Sequence, residues 1–287
     1  VAEGTPAVHG KDGYYYFSED SKVVNNQYDT LRQDSIHLWA RWIEKRVAED
    51  LELYSESGDT SAIDLRGWLV NTNDDLVQLL HGKELDLTVT RTLNGGKYNA
   101  ISLPFVVTPE TIKQVMDDEG NYLFDAEQGG LEPEIYLFNQ ANVVLNSDAE
   151  YELQIQLLLW KGEDIPANMP FIIKPQESIP ANLVFQNVTV IKPQDNISSV
   201  DDVQFRSLLT PSTIALEEGN RIVEVTVDGL LQEHTTAVKL QGLNGYFVVT
   251  PGVPAYDYAI IKLDNGLSTS VGEIEHFFAI FFRCFYG

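Results

Sequence analysis

Cysteine is almost missing from this chain: Cys284 stands alone among 287 residues. A single thiol excludes an internal disulfide framework, so the fold has to be held by its core. Basic residues are scarce too, with 19 Lys and Arg against 43 Asp and Glu and a formal net charge of −24. The resulting negative field opposes phosphate backbones and anionic lipid, both of which need clustered cations, so nucleic acid and membrane surfaces are discounted as partners. Positive partners, neutral glycans and divalent cations stay open. No stretch reaches the roughly 18 apolar residues that a membrane-spanning helix needs, so no transmembrane segment is expected. No proline-rich or Gly/Ser-rich linker and no short repeat divides the chain.

Catalytic signatures are equally thin. The histidines His9, His37, His81, His234 and His276 are scattered, with no pair at metalloprotease spacing. There is no G-x-S-x-G elbow and no phosphate-cradling glycine loop. Cys284 sits in an apolar run, where a thiol behaves as an inert side chain rather than a nucleophile. A glycosidase needs only two carboxylates about 5 to 10 Å apart, which so acidic a chain can supply anywhere, so a polysaccharide-active enzyme remains a third reading.

What the chain does have is strand. Residues 86–107, DLTVTRTLNGGKYNAISLPFVV, alternate Leu87, Val89 and Arg91 with Thr88, Thr90 and Thr92, the period of a half-buried strand. Asn94-Gly95-Gly96 tolerates positive φ and predicts a tight reversal into a second strand, a hairpin. Pro104 lacks an N–H, which places that second strand at a sheet edge or bends it there.

Further strands are expected at 122–124, 134–138, 142–145, 151–160, 171–174, 183–191, 203–208, 221–227, 236–240, 246–250 and 258–263, with turn signals between them. The fold class is therefore mainly β: an antiparallel two-sheet sandwich, jelly-roll-like or Greek key, with one or two short helices. Thr108-Pro109-Glu110 predicts one helix start, with Thr as cap and Pro at the first position. Asn73 or Asp74 is a candidate cap for another through Leu76, Val77, Leu79 and Leu80, stopped by Gly82.

Residues 1–84 form a smaller mixed N-terminal portion, placed against a sandwich domain of 85–287. Within it, Tyr14 to Phe17 predicts a short strand, and 35–42 and 62–70 read as strands. Ile43, Val47, Leu51 and Tyr54 fall at helix spacing, although RVAEDLELY also suits a strand.

Tyr98, Asn99, Ala100, Leu103, Pro104 and Phe105, after an Arg-Thr-Leu strand, resemble the "W-N-T-L-x-L-P-F" strand of secreted and outer-surface proteins of gut Bacteroidetes. Tyr98 and Ala100 replace the usual Trp and Thr. Residues 165–175, IPANMPFIIKP, are similar to that family's "I-x-A-G-x-P-Y-L-I-K-P", with Asn168 in place of Gly. The runs 182–188, 240–249 and 264–269 resemble its later elements. The resemblance spans roughly residues 86–275 and implies a β-sandwich surface domain; it transfers no agreed chemistry. It also implies an extracellular or outer-surface address with the signal peptide removed, and Val1, not being an initiator, fits a processed chain.

The candidate sites follow from side-chain chemistry. Asp117, Asp118, Glu119 and Asn121 cluster hard oxygen donors suited to calcium, although Asp-Glu-Gly-Asn is also an ordinary β-turn; no other cofactor is implied. Exposed aromatics stack on sugar faces, which makes Trp39, Trp42 and Trp68 candidate ligand-binding residues, with Trp39 set opposite Leu38 and Ala40. Trp160, ending an apolar run, reads as core.

The tail 277–287 carries FFAIFFRCFY, apolar on both faces. It suits a central strand, a strand donated to a second copy, or a changed reading frame. The leading expectation is a non-catalytic surface protein for adhesion, binding glycan or a host or cell-surface protein. The alternative is an assembly component that self-associates through 277–287.

Overall fold

The computed structural model describes residues 52–56, 72–179, 182–194, 197–200 and 202–264, with the backbone of short strand pieces at 8–9, 15–16, 18–19, 22–23, 63–64 and 69–70. Its elements are β1 (Glu52–Tyr54), α1 (Asn73–Leu80), β2 (Glu84–Thr90), β3 (Asn99–Ile101), α2 (Pro109–Lys113), β4 (Glu134–Leu145), β5 (Tyr151–Leu159), β6 (Phe171–Lys174) and β7 (Asn182–Thr189). They continue with β8 (Ile197–Val200), β9 (Val203–Leu208), β10 (Ser212–Ile214), β11 (Arg221–Val225), β12 (Leu231–His234), β13 (Val238–Leu240), β14 (Asn244–Val249) and β15 (Tyr258–Asp264).

Two five-stranded sheets, ordered β15-β5-β4-β6-β3 and β8-β9-β14-β11-β12, face each other as a sandwich. Pairing is antiparallel except where β15 runs parallel to β5 and β1 parallel to β2. The sandwich core takes Phe138, Leu153, Ile155, Leu157 and Ile172 from the first sheet and Val203, Phe205, Val223, Phe247 and Val249 from the second. Phe205 and Phe247 stack at 4.2 Å between centroids, and Phe138 meets Phe247 edge-on at 5.4 Å. Each such ring contributes about 1.5–3 kcal/mol by leaving water, which makes this cluster the sandwich's main anchor.

A three-stranded sheet, β7-β2-β1, covers part of the other face of the first sheet. Its Leu53, Leu87, Val89, Leu183 and Phe185 pack with Leu76, Val77 and Leu80 of α1 against Ile101, Ile135, Phe171 and Ile173. β6 alternates Phe171 and Ile173 into this second core with Ile172 into the first, so that stretch is buried on both faces. This explains why it reads as a continuous apolar run rather than an alternation.

Several expectations need correction. β2 and β3 do not form a hairpin: β2 already has β1 and β7 on its two edges, so the chain leaves that sheet after the turn and β3 joins β6. β3 is nonetheless an edge strand ending at Ile101, as Pro104 requires. Glu52–Tyr54 is strand, not helix, because its backbone pairs with β2 and Leu53 is fully buried, while residues 43–51 lie outside those described. The run 62–70 is split into Ile63–Asp64 and Leu69–Val70, which pair with each other. Residues 35–42 lie outside those described.

α1 is capped by Thr72, whose Oγ1 accepts from Asp75 N at 3.1 Å. Asn73 is drawn inward instead, donating to the Tyr54 and Leu209 carbonyls at 2.7 Å each. Tyr122 makes an isolated bridge to Met116 rather than starting a strand. The two strands expected at 134–138 and 142–145 are one, β4, carrying a register shift between Phe138 and Gln140.

Candidate functional site

Around the acidic turn, the chain builds two walls of a cleft. Thr108 Oγ1 caps α2 by accepting from Thr111 N at 3.1 Å, and the chain then reaches Met116, which bridges β7 at Val184. The turn that follows is closed by Asp117: its Oδ1 accepts from Glu119 N at 2.9 Å and Asn121 N at 2.8 Å, and its Oδ2 from Asn121 Nδ2 at 2.9 Å. Next, Asp125 caps a short 3₁₀ turn at Ala126–Gln128. The second wall is the 175–179 loop, tied to the Asn94-Gly95-Gly96 turn by Gly96 N donating to Pro175 O at 2.7 Å and Gly95 N to Ser178 Oγ at 2.9 Å.

Asn99 holds the Gly-Gly turn from behind. Its Oδ1 accepts from Asn94 N at 2.9 Å while its Nδ2 donates to the Asn94 and Lys97 carbonyls at 3.0 and 2.8 Å. A buried amide with this many backbone partners fixes a loop firmly, since each bond would cost a desolvated group if broken.

Between the walls lies a cleft of about 410 Å³, bordered by Asp118, Tyr122, Leu131, Gln176, Glu177 and Asn182. Leu131 is 39% exposed and Tyr122 is half-buried, giving an apolar lining beside carboxylates and amides. The Asp117 carboxyl is held below the usual carboxylate range, first by the Asn121 amide and then by turn N–H groups. It therefore stays ionised at neutral pH and is unsuited to donate a proton. Both Asp118 oxygens accept from Asn182 Nδ2, at 3.1 and 2.9 Å.

The structure thus brings Asp117, Asp118, Glu119 and Asn121 to one turn, with the Asp117 and Asp118 oxygens committed to internal donors. Among the described residues no group of three or more His, Cys, Asp or Glu side chains is arranged to hold a metal ion. Trp39, Trp42 and Trp68 lie outside the described residues, as does the tail 277–287. Trp160 is packed partly against the core, its Nε1 donating to Glu163 O at 2.5 Å. Sequence reasoning located the acidic turn but missed its opposite wall at Gln176 and Glu177, more than fifty positions away. The Leu93–Ile179 bridge fixes the loop on one side, and the Met116–Val184 bridge with the Asn182–Asp118 hydrogen bonds fixes the acidic turn on the other.

In comparisons with known proteins, no family model, no curated protein and no solved structure matches this chain.

Proposed function

We propose that this chain is a non-catalytic extracellular surface protein whose cleft binds a neutral glycan or an exposed protein segment. One observation carries the reading: the cleft offers hydrogen-bonding side chains beside Tyr122 and Leu131, while its best-ordered carboxylates are spent on the fold. A neutral polyol fits such a surface, because it takes amide and carboxylate hydrogen bonds and lays a C–H face on a ring, without adding charge to an acidic protein. The resemblance of 86–107 and 165–175 to outer-surface Bacteroidetes proteins supports the address.

The test is retention on a glycan array and a panel of matrix proteins. Tyr122→Ala is expected to weaken the retained ligand about tenfold, the equivalent of about 1.4 kcal/mol. Unchanged retention removes the cleft from the reading. Release of reducing ends from polysaccharide substrates would replace binding with the enzyme reading.

A further inference from the structure

The first five-stranded sheet is covered unevenly. On its outer face Ile135, Leu137, Phe171 and Ile173 lie under the three-stranded sheet. Farther along β4, the register shift between Phe138 and Gln140 inserts Asn139 as a bulge. That extra residue changes which side chains point outward: Ala141 and Val143 pack toward the sandwich core, and Gln140, Asn142 and Val144 turn to the outer face. The apolar end of the face is thereby cut off from a polar end.

The polar end is a grid of amides. Gln140 pairs with Gln156 and Asn142 with Gln154 across β4 and β5, while Ile155 between the two glutamines points into the core. Strands stand about 4.8 Å apart and alternate residues about 6.8 Å apart, so the four amides outline a rectangle comparable to a pyranose ring. Gln140 Nε2 donates to Gln156 Oε1. Gln140 Oε1, Gln156 Nε2 and the Asn142 amide have no side-chain partner among the described residues. β15 extends the grid through Tyr258, Ile260 and Lys262, parallel to β5.

The carboxylates on this face are held by neighbouring donors. Glu152 is 8% exposed and accepts from Tyr258 Oη at 3.1 Å and Gln154 Nε2 at 2.5 Å, with Lys262 Nζ 4.0 Å away. Tyr258 Oη in turn accepts from Asn146 Nδ2 at 2.7 Å, and Asp264 at the border accepts from Asn139 Nδ2 at 3.1 Å. A strand face kept in water merely for solubility is served by charges, which this chain has in excess. Here four neighbouring positions carry neutral groups that both donate and accept.

We infer that the outer face of β4, β5 and β15, at Gln140, Asn142, Gln154, Gln156 and Tyr258, is a second binding surface, for a neutral polysaccharide chain. It rests on the proposed function's premise that the protein binds neutral glycan, and it does not use the cleft. Hydroxyl groups replace water on the amides in both directions of donation, the three adjacent strands offer room for an extended chain, and the Glu152 oxygens are already engaged by Tyr258 and Gln154.

Affinity electrophoresis in gels containing a soluble β-glucan, a galactomannan or, as the anionic control, polygalacturonate tests this. The wild-type chain is expected to be retarded by at least one neutral polymer and not by polygalacturonate. The Gln154→Ala/Gln156→Ala variant, its melting temperature checked, is expected to bind at least tenfold more weakly, and to do so equally when both proteins compared carry Tyr122→Ala. Gln156→Glu, which keeps the side chain's size and adds a charge, is expected to show the same loss and decides the case if the double variant does not fold. Absence of retardation by either neutral polymer overturns the inference and leaves the cleft reading standing on its protein panel. Retardation that survives both face variants, or that disappears with Tyr122→Ala instead, overturns it as well.

Discussion

Arg91 shows what single residues do in this fold. It is 6% exposed, and its guanidinium donates to the Ala100 carbonyl at 2.9 Å, the Gly242 carbonyl at 3.2 Å and Gln241 Oε1 at 3.1 Å. Burial pushes its pKa down to about 10, with Glu56 opposing the fall, so it remains cationic at neutral pH. One planar fork thus joins the end of β2, the edge strand β3 and the loop before β14, a span for which lysine's single nitrogen lacks the two separated donor groups.

Asn168 plays a comparable part. It is fully buried with φ at +63°, in the left-handed region that Gly and Asn tolerate, which is a physical reason for Gly at the corresponding place in the resembling motif. Asp117 yields a pH prediction. Its folded pKa lies below the ordinary 3.8, so its contribution to the turn is fully present above 3.8 and is lost as pH falls through the lower folded value. Amide exchange at Glu119 and Asn121 is therefore expected to rise below about pH 3.8, and Asp117→Asn to remove that dependence. A flat profile in the wild type would contradict the assignment.

At the scale of elements, turns and bulges do more to set the architecture than the strands themselves. Gly95 packs so closely on the 175–179 loop that a Cβ there would lie 2.5 Å from the Glu177 carbonyl carbon and Ser178 N. Both are backbone atoms and cannot swing aside. Gly95→Ala is expected to lower the unfolding free energy by about 2 kcal/mol in urea denaturation, and to loosen the cleft wall. A change under about 0.5 kcal/mol would mean that the loop shifts freely.

Strand positions were readable because alternation and flanking Gly, Pro and Asp report local burial: β6 and β9 run over the same residues in sequence and structure. β8, β10 and β12 escaped notice, since Ile197–Val200, Ser212–Ile214 and Leu231–His234 are short and largely polar. The bulge at Asn139 was also illegible. Asn-Gln-Ala-Asn has no local signature, and only the pairing with β5 shows that an extra residue is accommodated there.

Across the whole molecule, a charge of −24 acts against compaction while the two cores act for it. The screening length falls from about 30 Å at 0.01 M salt to about 8 Å at 0.15 M, so self-repulsion is largely removed over that range. The melting temperature is expected to rise by a few degrees between 0.01 and 0.15 M sodium chloride, roughly 1 kcal/mol of stability for a chain of this size. A fall would mean that attractive ion pairs outweigh repulsion.

By itself, the sequence determined the β class, the two short helices, the acidic turn and the adverse field toward anions, because these depend on composition and on neighbours within a few residues. Tertiary structure alone decided which strands pair, that the chain crosses between sheets at the Gly-Gly turn, that Gln176 and Glu177 face the acidic turn, and that four amides share one face of β4 and β5. Those outcomes depend on edges already occupied and on register between distant strands, and hydrogen bonds of that kind leave no local pattern to read.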